Sequence, residues 1–138
     1  MVGMPACFSR RSLLVAGGTG LGAVALVACG GSPVPELTGV APGDVVVPLA
    51  EVPVGGTYEV SLDGRRVLIS QPTAGVVAGF DARCTHQGCT VRATDDALAC
   101  PCHGSEFDPA TGAVRHGPAT EPLAPVGVAV RGSDVVLS

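Results

Sequence analysis

The middle of this 138-residue chain carries two cysteine–histidine segments, Cys84-Thr85-His86-Gln87-Gly88-Cys89 and Cys100-Pro101-Cys102-His103-Gly104-Ser105. Thirteen residues separate His86 from Cys100. Each segment offers one cysteine and one histidine at the spacing of metal ligands, together with a second cysteine. Two thiolates and two imidazoles suit either a zinc ion or an iron–sulfur cluster.

The order of the ligands favours one of these two alternatives. In a Cys2His2 zinc finger, one element usually provides both cysteines and another provides both histidines. Here a cysteine precedes a histidine in each segment, so each segment can give a thiolate to one iron and an imidazole to the other. The order therefore favours an iron–sulfur cluster, and a zinc site is the alternative.

Outside these segments the apolar residues alternate with polar ones, which is the period-2 pattern of half-buried strands. The alternation runs through residues 57–62 and meets Asp63-Gly64, a pair typical of a type I′ hairpin. Pro72 is expected to end the strand that returns from this turn. The further strands are predicted over residues 65–70, 76–81, 126–130 and 135–137. Short strands with frequent turns predict an all-β sandwich or a small barrel.

The composition excludes some classes of function. The 8 basic residues are all arginines and face 12 acidic residues, which gives a net charge of −4 and argues against nucleic-acid binding. With only 3 Phe, 1 Tyr and no Trp, the core must consist of small aliphatic residues, and such a core usually needs a metal or a disulfide.

The sequence contains no nucleophile–base constellation, so catalysis by this chain alone is not expected. Asp95-Asp96 is predicted to be a turn and His116 a surface loop residue.

The first 28 residues are predicted to be an export signal. Arg10 and Arg11 precede an uncharged stretch over residues 13–28, which is too short and too rich in glycine for a comfortable membrane span of about 20 residues. The arginine pair resembles a twin-arginine signal, and an ordinary secretory signal is the alternative. Leu26-Val27-Ala28-Cys29 resembles a lipobox, which predicts a lipid on Cys29, although a plain cleavage site fits as well. Residues 29–43 are then expected to form a lipid-anchored tether.

The two segments together resemble the signature of the Rieske [2Fe-2S] proteins, C-T-H-x-G-C followed by C-P-C-H-G-S. They are most similar to the disulfide-containing subgroup, which includes the iron–sulfur subunits of cytochrome bc1 and b6f complexes. The similarity extends over residues 44–138 and includes residues 107–112 and Gly117-Pro118-Ala119. It implies a Rieske-type antiparallel β-sandwich over residues 44–138, with a cluster-binding subdomain made of the two Cys/His loops.

The resemblance also implies one [2Fe-2S] cluster per chain and its ligands. Cys84 and Cys100 would bind the buried iron, and His86 and His103 the outer iron near solvent. Neutral imidazoles in place of thiolates make such a cluster less negative, so that it accepts an electron more easily.

The remaining residues of the signature receive supporting roles by the same resemblance. Cys89 and Cys102 would form a disulfide between the two loops, and Ser105 would donate a hydrogen bond to a bridging sulfide. Gly117-Pro118 would form a turn over the other side of the cluster. Since Cys7 lies in the predicted signal and Cys29 is assigned to a lipid, every cysteine then has a role.

Two departures from the bc1 and b6f subunits limit what the resemblance implies. Phe107 stands where those subunits have a tyrosine that donates a hydrogen bond to a cluster-ligating sulfur. Gln87 replaces a leucine of the apolar tip that docks at the quinol site. The spacing between the loops is also shorter, and a lipid is expected to replace the membrane helix of those subunits.

We therefore expect an exported protein that is tethered to the outer face of the cytoplasmic membrane and transfers single electrons. Its partner would be a redox protein, either a cytochrome or an oxidoreductase subunit. One alternative is the iron–sulfur subunit of a bc1-type quinol:cytochrome c oxidoreductase, with quinol as a further partner. The other alternative is a non-catalytic metal-binding or sensing protein.

Overall fold

A computed structural model describes residues 33–138 and shows the all-β architecture that the alternation predicts. The helical part of these residues is a single 3-10 turn over Leu49–Glu51. The strands, in chain order, are β1 (Glu36–Leu37), β2 (Val45–Pro48), β3 (Thr57–Leu62), β4 (Arg65–Thr73), β5 (Val76–Asp81), β6 (Arg92–Ala93), β7 (Leu98–Ala99), β8 (Glu106–Phe107), β9 (Val114–His116), β10 (Pro125–Val126), β11 (Val128–Arg131) and β12 (Asp134–Leu137).

The largest sheet has the strand order β1-β3-β4-β5-β10 and contains the predicted hairpin. Strands β3 and β4 are antiparallel and meet at Asp63 and Gly64, whose φ angles are 50° and 78°. A type I′ turn requires positive φ at both central residues, so the hairpin prediction is confirmed.

The prediction that Pro72 ends the returning strand is wrong. Strand β4 continues through Pro72 to Thr73, which pairs with Val76 of β5. The register of the β4–β5 pair shifts between Ser70 and Thr73. Because proline has no N–H to donate, a strand tolerates it at such an irregularity in the ladder.

A second sheet, with the order β11-β12-β2, provides the other layer of the sandwich. The predicted strand over residues 126–130 is divided between the two sheets, because β10 pairs with β5 and β11 pairs with β12. Gly127 lies at the crossing point, where a Cβ atom would come within 2.7 Å of the Ser138 carbonyl oxygen. Val60, Ile69 and Val135 are fully buried in the core that side chains of both sheets form.

Part of the segment predicted as a tether belongs to the folded domain. Strand β1 is parallel to β3, with Glu36 opposite Ser61. The Ser61 N–H donates to the Pro35 carbonyl at 2.8 Å, and the Gly64 N–H donates to the Glu36 carboxylate at 2.8 Å. The predicted signal and Cys29 lie outside the described residues. No helix among residues 33–138 has the length and apolar character needed to cross a membrane.

The third sheet has the order β6-β7-β8-β9 and holds the second cysteine–histidine segment between β7 and β8. The first segment lies between the end of β5 and the start of β6. The strands of the third sheet have only two or three residues each. A second core joins this sheet to the sandwich and contains Leu68 and Phe80 from the large sheet, together with Leu98, Phe107 and Leu123.

Candidate metal centre

Loop 1, residues 84–89, leaves the large sheet just after β5 and closes on itself. The Cys84 N–H donates to the Cys89 carbonyl at 2.8 Å, and the Gly88 N–H donates to the Cys84 carbonyl at 2.9 Å. Gly88 has a φ of 80°, a left-handed conformation that a side chain would strain. Arg83 and Thr90 form a β-bridge at the base of the loop.

Loop 2, residues 100–105, connects β7 to β8 and repeats the hydrogen bonds of loop 1. The Cys100 N–H donates to the Ser105 carbonyl at 2.8 Å, and the Gly104 N–H donates to the Cys100 carbonyl at 3.1 Å. Gly104 has a φ of 79°, close to the value of its counterpart in loop 1. The same backbone turn therefore holds the first cysteine of each loop.

A disulfide joins the two loops between Cys89 and Cys102, the pair that the resemblance implies. Their Cα atoms are 6.5 Å apart. The Cys100 sulfur lies within 4.8 Å of both disulfide sulfurs. Because the disulfide sulfurs are bonded to each other, neither is a thiolate available to a metal, and Cys100 is the thiol of this group that can bind one.

The four predicted ligands divide into a buried pair and an outer pair. Cys84 and Cys100 are unbridged, and only 3% and 2% of their surfaces are exposed. His86 is half-buried and His103 is exposed. The two imidazole rings lie edge to face with their centroids 4.9 Å apart. The structure therefore brings the two histidines together near solvent and keeps both thiols inside the second core.

One buried polar atom of the four predicted ligands has no hydrogen-bond partner among residues 33–138. The Nδ1 atom of His86 is buried and makes no hydrogen bond within residues 33–138. A buried polar atom without a partner costs about 1–3 kcal/mol, so such atoms are rare in folded proteins. A metal bound to Nδ1 would satisfy it. With two buried thiols and two adjacent imidazoles, the donor set fits a cluster whose irons are held by two cysteines and two histidines.

Ser105 ends loop 2, and its hydroxyl group donates no hydrogen bond to another of residues 33–138. Ser105 is fully buried, and its Oγ accepts a hydrogen bond from the Ala119 N–H at 3.0 Å. This bond uses the oxygen as an acceptor and leaves the O–H group free to donate, and its hydrogen bond to a bridging sulfide stays a prediction. The same bond ties Gly117-Pro118, an exposed pair with a cis peptide bond, to loop 2.

Comparison with known proteins decides the family to which these loops belong. The sequence profile of the Rieske [2Fe-2S] domain matches residues 44–130, which include both loops and most of the sandwich. The chain belongs to the Rieske [2Fe-2S] family. A [2Fe-2S] cluster is therefore its expected cofactor, in agreement with the donor set.

Several Rieske proteins are similar to this chain in sequence. The cytochrome b6-f complex iron-sulfur subunit of Synechococcus elongatus is 48% identical over 62 residues, which are 44% of this chain and 34% of that subunit. The putative Rieske 2Fe-2S iron-sulfur protein YhfW of Bacillus subtilis is 38% identical over 79 residues, 56% of this chain and 15% of that protein. The chain thus spans about a third or less of the length of these two relatives.

Solved Rieske structures share the fold over a larger part of the chain. The plasma membrane Rieske protein PetC3 of the cyanobacterium Synechocystis superposes with a TM-score of 0.61 at 28% identity, covering 69% of this chain and 98% of that one. The Sphingomonas yanoikuyae B1 ferredoxin superposes with a TM-score of 0.58 at 25% identity, covering 69% and 96%. Both match nearly whole chains, so the Rieske fold accounts for most of this protein.

The structure also places the remaining residues that the sequence singled out. Phe107 is fully buried in the core that contains both unbridged cysteines, and Gln87 is exposed at the tip of loop 1. His116 is exposed as predicted, but it belongs to β9 rather than to a loop. Asp95 and Asp96 lie in an exposed bend, which agrees with the predicted turn.

Sequence reasoning missed a contact that orders the turn after Phe107. The Arg115 guanidinium donates to the Asp108 carboxylate from Nη2 at 2.7 Å and from Nε at 3.1 Å. This hydrogen bond, with those from the Ala110 and Thr111 N–H groups, lowers the pKa of Asp108. No sequence motif predicts the Asp108–Arg115 pair, because Arg115 belongs to strand β9 and contacts Asp108 only in the folded chain.

Proposed function

We propose that this Rieske protein is a one-electron carrier that serves another redox protein. The observation that carries this proposal is the position of the two histidines: half-buried His86 and exposed His103 lie edge to face near solvent, whereas the thiols of both cysteine ligands are buried. Electron transfer needs a short path between the redox centres of the two proteins. Surface histidines on a metal would bring that centre within reach of a docked partner.

In the proposed centre, Cys84 and Cys100 hold the inner iron, and His86 and His103 hold the outer iron. When bound, a [2Fe-2S] cluster supplies a reversible one-electron redox couple. The chain's own residues hold it in place: the Cys89–Cys102 disulfide joins the two loops. Burial of the inner thiols keeps solvent away from one side, and the histidines keep the other side accessible.

A subunit of a cytochrome bc1- or b6f-type complex is the second candidate. The similarity to the Synechococcus elongatus b6-f subunit supports it. Exposed Gln87 argues against it, because this position lies at the loop tip, where those subunits have leucine at the quinol site. A polar side chain there would be desolvated without a known partner, so the proposal of a separate carrier is preferred.

The proposed location is the outer face of the cytoplasmic membrane, with a lipid on Cys29. The Arg10-Arg11 pair and the Leu26-Val27-Ala28-Cys29 segment support this proposal from the sequence. A single lipid chain binds membranes only marginally, so stable attachment would need more than one acyl chain.

Protein-film voltammetry of the purified, iron-loaded protein tests the carrier function. We expect a reversible wave whose width corresponds to one electron. A Cys84→Ser variant is the matched control, because it keeps the loop but removes one proposed ligand, and it should lose the wave. Iron-loaded protein without a reversible wave would contradict the proposed function and leave a non-catalytic metal-binding role.

A further inference from the structure

Three of the six arginines among residues 33–138 line one surface cavity next to loop 1. The cavity measures about 520 Å³ and lies between the β3–β4 turn and the base of the loop. The residues that line it are Gly64, Arg65, Arg66, Asp81, Ala82, Arg83, Gly88 and Thr90. Three positive charges and one negative charge line this basic cavity, and the carboxylates of Glu59 and Glu36 lie at its border, against Arg66 and the Gly64 N–H.

The three arginines retain unused donors. The Arg65 Nε donates to Asp81 Oδ2 at 2.6 Å, yet 54% of the Arg65 side chain is exposed. Arg66 makes only a long contact of 3.4 Å with Glu59, and 40% of its side chain is exposed. The Arg83 guanidinium has neither a hydrogen bond nor an ion pair with any of residues 33–138. Nothing in the fold of these residues therefore requires all three charges.

The basic cavity continues into the candidate redox site. A neighbouring cavity of about 450 Å³ shares Asp81, Arg83 and Gly88 with it, and Cys84 and His86 line its other side. The Arg83 guanidinium lies over Gly88 of loop 1, where a Cβ atom would be 3.3 Å from its Nε. A partner that contacts these arginines would thus also contact the loop that carries His86.

We propose that the surface formed by Arg65, Arg66 and Arg83 docks a redox partner with carboxylates around its own redox centre. This inference rests on the proposed carrier function and names the chemistry of the partner. The net charge of the chain repels an acidic partner, whereas the exposed arginines of the basic cavity have unused donors that can bind its carboxylates. Charges farther apart than a Debye length, about 10 Å at 0.1 M salt, are screened, so the local charge decides the final approach. The attraction would therefore orient the partner beside His86.

Isothermal titration calorimetry between oxidised proteins tests this docking without electron transfer. The probes are a cytochrome c with carboxylates around its haem edge and one with lysines there. We expect the wild type to bind the acidic cytochrome more tightly. The double variant Arg66→Gln/Arg83→Gln should bind it about tenfold more weakly at low salt, with the difference lost at high salt. The matched control is Arg92→Gln/Arg131→Gln, which removes the same charge from exposed strand positions outside the cavity and should bind like the wild type.

Two results would overturn the docking proposal. One is an affinity for the acidic cytochrome that is equal in the two double variants, or lower than the affinity for the basic cytochrome. The other is loss of binding in phosphate but not in sodium chloride of equal ionic strength, which would show a site for small anions. Voltammetry of the same samples separates the two proposals. If the one-electron wave is normal but the two double variants bind the acidic cytochrome equally, only the docking proposal is contradicted. If the wave is absent, the proposed carrier function is contradicted.

Discussion

At the scale of single residues, Ser105 has a buried hydroxyl group that we propose as a hydrogen-bond donor to the cofactor. Its oxygen already accepts from Ala119, so its proton is directed elsewhere. A bond to a bridging sulfide would stabilise the reduced cluster, which carries one more negative charge. Hydrogen bonds to charged groups contribute about 1.5–3 kcal/mol, and 59 mV corresponds to about 1.4 kcal/mol for one electron.

We predict that Ser105→Ala lowers the midpoint potential by several tens of millivolts, because only part of the bond energy favours the reduced state. Protein-film voltammetry at one pH measures the change. Ser70→Ala is the matched control, since Ser70 is equally buried but bonds to the Ala78 and Pro109 carbonyls. It should lower stability without moving the potential. Equal potentials for the two variants would contradict the role of Ser105.

Phe107 is the departure from the bc1 and b6f subunits with the clearest expected effect on the midpoint potential. It is fully buried in the core that contains Cys84 and Cys100, and it has no hydroxyl. We predict that Phe107→Tyr raises the midpoint potential by several tens of millivolts, because the phenol would donate to a cluster-ligating sulfur. Phe80→Tyr adds the same hydroxyl elsewhere in this core and is the control. If the potential of the Phe107 variant stays at the wild-type value, its side chain does not face the cluster.

At the scale of elements, the two loops have little regular structure to hold them together. Strands β6 to β9 have two or three residues each, and the disulfide is the covalent link between the loops. We predict that the double variant Cys89→Ser/Cys102→Ser loses its cluster several times faster than the wild type. The decay of visible absorbance on storage in air measures this rate.

A matched variant controls for general loss of stability in the disulfide experiment. Val135→Ala removes fully buried apolar surface from the core between the two large sheets, away from the loops. It should lower the free energy of unfolding by about 1–3 kcal/mol with little effect on cluster retention. If both variants lose the cluster at the same rate, the disulfide has no specific role in holding it.

Elements differ in how far the sequence could predict them. Strand β3 has six residues, enough for the alternation to be visible, and Asp63-Gly64 identified the turn that follows it. Strands β7 and β8 have two residues each, too few to show any period. Their positions depend on loop 2 and on burial of Leu98 and Phe107, which are tertiary effects.

The candidate site was predictable to a similar, limited extent. Spacing identified the possible ligands, and the family resemblance supplied the pairing of Cys89 with Cys102. No sequence pattern predicts the basic cavity, because 16 residues separate Arg66 from Arg83 and the two come together only when β4 and β5 pair. The Gln87 substitution was visible in the sequence, but its exposure at the loop tip required the structure.

At the scale of the whole molecule, a lipid on Cys29 would place the domain close to the membrane. Strand β1 begins at Glu36, so six residues, 30–35, separate Cys29 from the first strand. A fully extended chain of this length spans about 20 Å. A lipid at Cys29 would therefore leave the folded domain little freedom to move away from the membrane surface.

We predict that Cys29→Ser releases the protein from the membrane fraction while its cluster stays intact. Fractionation of cells followed by immunoblotting measures the distribution, and the visible spectrum reports the cluster. Ser32→Ala is a control in the same segment and should remain attached. Attachment of the Cys29→Ser protein would contradict the lipid anchor and favour an uncleaved apolar segment.

Two cysteines and two histidines are proposed to hold a [2Fe-2S] cluster in this chain. Electron paramagnetic resonance of the reduced protein tests it most directly, because histidine ligation lowers the average g value below that of clusters with four thiolate ligands. We predict this low average g value in a red-brown protein with two irons and two labile sulfides per chain. A colourless, zinc-containing protein without a signal, or a spectrum typical of four thiolates, would contradict the account.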